Sequence, residues 1–102
     1  MLEGVTLEVS GGLNRPPMPR DERMAATFAW AQEIAARLGL SLTEGGTGGG
    51  SDANFVASLG TPVLDGLGPL GDWQHHAGRE HVVVSSLAPR AALLAALLTE
   101  FR

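Results

Sequence analysis

Six residues, Asn14-Arg15-Pro16-Pro17-Met18-Pro19, constrain the fold of this 102-residue chain more than any other stretch. Three prolines remove backbone donors and fix φ, so the stretch can be neither helix nor central strand. It reads as a stiff, extended connector, and it divides the sequence unevenly. Ahead of it Val5, Leu7 and Val9 alternate with Thr6, Glu8 and Ser10, the period of a half-exposed strand that Gly11-Gly12 ends.

Beyond the connector, helix and strand patterns alternate. Asp21 and Glu22 open a first helix, where carboxylates suit the positive end of the dipole. Met24, Phe28, Ala31, Ala35 and Leu38 form its apolar stripe, and Glu33 and Arg37 are spaced as a favourable ion pair. Gly39 stands where a left-handed residue stops a helix. Leu40 and Leu42, alternating with Ser41 and Thr43, predict a short strand. Ser51 or Asp52 is placed to cap a second helix from Ala53 to Leu59, closed by Gly60 and Pro62. Further strands are predicted from Pro62 to Asp65 and, buried, from His81 to Val84. A loop rich in Gly and His runs between them as far as Arg79. Ser85 or Ser86 is placed to cap a last helix with Leu94, Leu97, Leu98 and Phe101 as its stripe.

This order predicts an α/β fold, a mostly parallel sheet flanked by helices. The N-terminal strand has no partner in so short a chain, so the expectation is that part of the folded unit lies outside it. The apolar share of 44%, with 18% charged residues, fits a globular chain rather than a disordered one. A net charge of −4 with seven scattered basic residues argues against nucleic acid. The absence of cysteine excludes disulfides and thiolate metal sites. No apolar run is long enough to span a membrane, and Met1-Leu2-Glu3-Gly4 does not read as a signal peptide, so the expected location is cytoplasmic.

Three features could carry chemistry. Five glycines between Gly45 and Gly50, interrupted by Thr47, lie between a predicted strand and a helix start. Backbone N–H groups can bind an anion in such a turn, and a flexible linker is the alternative. No Lys follows to make a P-loop, and Ser51 stands where a dinucleotide fingerprint needs its third Gly. His75-His76 occupies the loop between two strands, either as solvated side chains or as metal donors, whereas His81 begins a strand and reads as structural. Finally, Gly49-Gly50-Ser51-Asp52-Ala53 is one substitution from a nucleophile elbow, and Ser51, Asp65 and His76 follow the order of an α/β-hydrolase triad. A chain this short supplies too little sheet for that fold.

Gly48-Gly49-Gly50-Ser51-Asp52-Ala53-Asn54, then Gly60-Thr61-Pro62-Val63-Leu64-Asp65-Gly66-Leu67-Gly68, then His76 with Glu80 and Val82, resemble the end of the di-zinc peptidase family. That family includes glutamate carboxypeptidase, aminoacylase, acetylornithine deacetylase and succinyl-diaminopimelate desuccinylase. Asn14-Arg15-Pro16-Pro17-Met18 and the closing helix with Pro89-Arg90 fit the same pattern, in the same order. The resemblance implies that residues 1–14 are the last strand of a lid or dimerisation domain. Residues 15–102 would then be the C-terminal portion of the catalytic domain, with Asn14 to Arg20 crossing between them.

By the same resemblance His76 is the last zinc ligand, with His75 as the alternative register. Arg15 holds the substrate carboxylate, and Gly49, Gly50 and Ser51 line the substrate pocket. Ala77-Gly78-Arg79 departs from the Thr-Pro or Ser-Asp usual after this His. The family's His-x-Asp motif, its adjacent glutamates with the general base, and its other carboxylate ligand have no match here. The resemblance therefore implies two zinc ions in the parent protein, one ligand supplied from this chain, and no catalytic residue within it. The implied substrate is a peptide or an N-acyl amino acid. The chain alone is expected to be inactive, and its uncovered apolar faces are expected to make it a homo-oligomer. The rival expectation is a stand-alone module that binds an anion or a partner without catalysis.

Overall fold

The computed structural model describes residues 2–101. Helix α1 spans Glu22–Arg37, α2 spans Ala53–Ser58 and α3 spans Leu87–Glu100. Two short strands, β1 (Gly71–Asp72) and β2 (His81–Val82), pair antiparallel with Gly71 opposite Val82 and Asp72 opposite His81. A single 3₁₀ turn, Val84–Ser86, leads into α3.

The start of α1 follows the sequence reading: the Asp21 carboxylate accepts the Met24 N–H at 2.9 Å. At its end Gly39 takes φ +73°, while Leu38 N–H and Gly39 N–H donate to the carbonyls of Ala35 and Ala36. The core lies between α1 and α3, where Ala31, Ile34, Ala35, Leu93 and Leu97 are buried. Small Ala side chains on α1 let the two helices approach, and Trp30 packs edge-on against Phe101 with ring centroids 6.5 Å apart. Arg37 pairs with Glu100 of α3 at 3.5 Å rather than with Glu33. Stripe positions also shift. Leu93 is buried and Leu94 is 43% exposed, and Ile34 belongs to the core whereas Leu38 does not. A helix only three to four turns long has several ways to choose a face, and here α1 decides which one is covered.

The parallel sheet is not present among the described residues, whose one sheet is the antiparallel pair. Residues 5–9, 40–43 and 62–65 form no ladder. Each has a strand's composition but no neighbouring strand to satisfy its backbone, and pairing is what makes a strand. Leu40 and Leu42 nevertheless pack against the core while Ser41 and Thr43 face out, so the period of two survives without the sheet. The strand expected over His81 to Val84 is shorter and uncovered: Val82, Val83 and Val84 are 50%, 41% and 75% exposed. Ser86 does not cap α3. Its hydroxyl accepts the Leu70 N–H at 2.8 Å and donates to the Val83 carbonyl, tying the hairpin base to the helix.

The molecule is broad and thin, with a radius of gyration of 18.4 Å and extents of 64 × 37 × 17 Å. A compact domain of this length has a radius near ~13 Å. Val5, Leu7 and Val9 are 54%, 76% and 84% exposed, so the N-terminal segment packs on nothing that would bury its apolar side.

Candidate functional site

The connector and the glycine loop meet. Asn54, in the first turn of α2, donates from Nδ2 to the Pro16 carbonyl at 2.8 Å and accepts the Ser51 N–H at Oδ1 at 2.9 Å. One side chain thus fixes the end of the loop against the connector. Ser51 Oγ in turn accepts the Ala53 N–H at 3.2 Å, so Ser51 closes the turn into α2, while the Asp52 carboxylate makes no capping bond.

This clamp lays Arg15 across the loop. Its Cδ would be 2.8 Å from a Cβ placed on Gly50, so any larger residue there would push the arginine away. Its guanidinium carbon sits 4.8 Å from the centroid of the Phe55 ring, a cation–π contact, and Nη1 donates to Asp52 Oδ1 at 3.2 Å. The other glycines of the run have no such role. Within Gly45–Gly50 none takes a positive φ, and at Gly45, Gly46 and Gly48 an added Cβ would meet nothing within 4 Å. A backbone anion nest needs left-handed residues in alternation, so the loop does not form one. It acts instead through Gly50, by admitting Arg15.

A second cluster lies at the tip of the hairpin. Between β1 and β2 the loop turns twice: His76 N–H donates to the Trp73 carbonyl at 2.9 Å, and the His76 carbonyl accepts from Arg79 and Glu80 N–H at 3.0 Å each. Trp73 and His75 hold φ of +63° and +67°, an unusual state for non-glycine residues that clusters at functional segments. The Trp73 ring stands edge-to-face with the His76 imidazole at 5.5 Å, and the Arg79 guanidinium lies 5.0 Å from the Trp73 centroid. His76 is therefore packed on a neighbour, whereas His75 has no stacking contact or side-chain hydrogen bond among the described residues. His81 starts β2, with Nδ1 2.9 Å from the Arg79 carbonyl oxygen.

No three His, Asp or Glu side chains gather where they could hold a metal ion, among the described residues. The ring nitrogens of His76 carry no hydrogen bond there, so the donors present fit one ligand of a metal site rather than a whole site. No hydrogen bond among the described residues links Ser51 to Asp65 or His76, and the Ser51 hydroxyl is engaged by its own helix. Asn54, Phe55 and Trp73 carry much of this geometry, and the sequence reading gave none of them a site role. An Asn three residues after a Ser at a predicted helix start was the available signal for the first.

A family model described as Peptidase family M20/M25/M40 matches residues 4–100. Carboxypeptidase G2 of Pseudomonas sp. (strain RS-16) is 35% identical over 72 residues, a match covering 71% of this chain and 17% of that protein. The chain thus spans only a small part of the curated relative it matches. No solved structure matches. No helix among the described residues is long and apolar enough to cross a membrane.

Proposed function

The chain belongs to peptidase family M20/M25/M40, and from that premise we propose that it is the closing part of a zinc-dependent carboxypeptidase or N-acyl-amino-acid amidohydrolase. The observation that carries the reading is the seating of Arg15. Its stem rests on Gly50, its guanidinium lies on Phe55, and its one bonded nitrogen faces an exposed carboxylate. An arginine held from behind in this way suits bidentate recognition of a carboxylate, the group that ends a peptide or an N-acyl amino acid. The relative's name, a carboxypeptidase, agrees with such a substrate.

In this reading Arg15 orients the substrate by its carboxylate, Gly49, Gly50 and Ser51 form the adjacent wall, and His76 donates one imidazole nitrogen to the metal. The packing of Trp73 on His76 limits the directions in which that ring can point. Zinc, when bound, supplies Lewis-acid polarisation of the scissile carbonyl and an activated water. The remaining ligands and the general base come from residues outside this chain, and segments 5–9, 40–43 and 62–65 complete their ladders there, within a mostly parallel sheet. Residues 1–14 close the lid and residues 15–102 the catalytic domain.

The test is hydrolysis of an N-acetyl amino acid and of a dipeptide, with and without zinc. The chain alone is expected to show no turnover, and the native gene product zinc-dependent turnover with a KM raised by Arg15→Ala. Zinc-dependent turnover by the chain alone that survives His76→Ala and His75→Ala would overturn the reading. In that event the stand-alone binding module is also excluded.

A further inference from the structure

Two arginine–carboxylate pairs in this chain differ in kind. Arg20 grips Glu44 with both ends of its fork, Nε at 2.8 Å and Nη2 at 2.7 Å, the geometry of a pair that holds structure together. Arg15 meets Asp52 through Nη1 alone, at 3.2 Å, and the Asp52 side chain is 96% exposed against 31% for Arg15. Arg15 is thus positioned by Gly50 and Phe55, and Asp52 merely touches it from the solvent side.

The Asp52 carboxylate makes no other hydrogen bond among the described residues. It occupies the cap position of α2 without a capping bond, at a relaxed φ of −64° and ψ of −21°, while Ser51 and Asn54 close the turn. A residue at this position that served only the helix would spend its carboxylate on a backbone N–H, as Asp21 does at α1. An exposed, single-bonded ion pair is weak and easily exchanged.

We propose that Asp52 is a displaceable stand-in for the ligand's carboxylate. It occupies one nitrogen of the Arg15 fork in the free chain and leaves when a carboxylate ligand takes the fork with both oxygens. Asp52 therefore competes with ligand and weakens the binding of single carboxylates, which must displace it. The inference rests on the reading of Arg15 as the carboxylate-holding residue.

N-acetylglycine, a probe with one carboxylate, is titrated into the native gene product and its binding is followed by isothermal titration calorimetry. Asp52→Asn is expected to tighten binding about two- to fivefold, the range set by an exposed ion pair. Asp65→Asn removes the same charge from an exposed residue elsewhere and is expected to leave binding unchanged. Arg15→Ala is expected to abolish it. If Arg15→Ala abolishes binding but Asp52→Asn leaves it unchanged or weaker, the stand-in is overturned and the role of Arg15 survives. The stand-in is likewise overturned if Asp65→Asn tightens binding as much as Asp52→Asn. If the unsubstituted gene product does not bind the probe, or binds it equally well after Arg15→Ala, both are overturned.

Discussion

The guanidinium carbon of Arg15 lies 4.8 Å from the centroid of the Phe55 ring, joining the proline-rich connector to the helix beyond the glycine loop. That contact turns a flexible arginine into a directed one. An exposed cation–π contact contributes about 0.5–1 kcal/mol. Phe55→Ala is therefore expected to weaken N-acetylglycine binding roughly two- to fivefold. Far-UV circular dichroism should show the helices retained.

Gly50→Ala tests the same seat from the other side. The added methyl would stand 2.8 Å from Arg15 Cδ, so the side chain must move off the loop. Binding is expected to fall by about three- to tenfold, near ~1 kcal/mol, with thermal stability little changed because the clash is with a side chain at the surface. Gly46→Ala, where a Cβ would meet nothing within 4 Å, is the control expected to bind normally.

The helix interface predicts an asymmetry between neighbouring leucines. Leu93 is fully buried between α1 and α3, and Leu94 is 43% exposed. Leu93→Ala is expected to cost about 2–5 kcal/mol, enough to threaten a fold with so few buried apolar residues. Leu94→Ala should cost less than about 1 kcal/mol. Urea denaturation followed by circular dichroism separates the two.

Two carboxylates predict an acid limb in the chain's stability. Asp21 is held below its ordinary pKa first by the Met24 N–H and further by Arg23, and Glu44 first by the hydrogen bonds of Arg20 and then by its charge. Both folded values are depressed, so their stabilisation is present above the unfolded pKa of about 4 and is lost as pH falls through the folded values. The melting temperature is expected to drop as pH is lowered from about 5 to about 3. The Asp21→Asn, Glu44→Gln double variant should show a flatter profile over that window.

Uncovered apolar surface predicts self-association. Val9, Leu59, Val84 and Leu98 are 84%, 82%, 75% and 70% exposed. Light scattering of the purified chain is expected to report an oligomer, and a monomer at high concentration would count against the account of its exposed faces.

The helices were legible in the sequence because their signals are local. A capping carboxylate at Asp21, a stop at Gly39, and apolar residues at helical spacing each act within one turn. The strands were legible only as patterns. Leu40 and Leu42 point inward as their alternation requires, yet the ladder that would define a strand needs a partner the described residues do not provide. For the site, Arg15, Gly50 and Ser51 stood out by their motifs, but what Gly50 is for did not. Its use is a close approach by a residue 35 positions earlier, which no local pattern records. The bond from Asn54 to Pro16 was hidden for the same reason, since it spans 38 residues, although the Asn54 bond to Ser51 is local.

In the proposed function this chain hands one metal ligand, His76, to a site completed by other residues. The deciding measurement is metal analysis of the native gene product, with His76→Ala and His75→Ala compared with the unsubstituted protein. His76→Ala is expected to lose about one of two zinc equivalents, while His75→Ala retains both. Zinc retained in full by His76→Ala would overturn that role, as would zinc lost from His75→Ala alone.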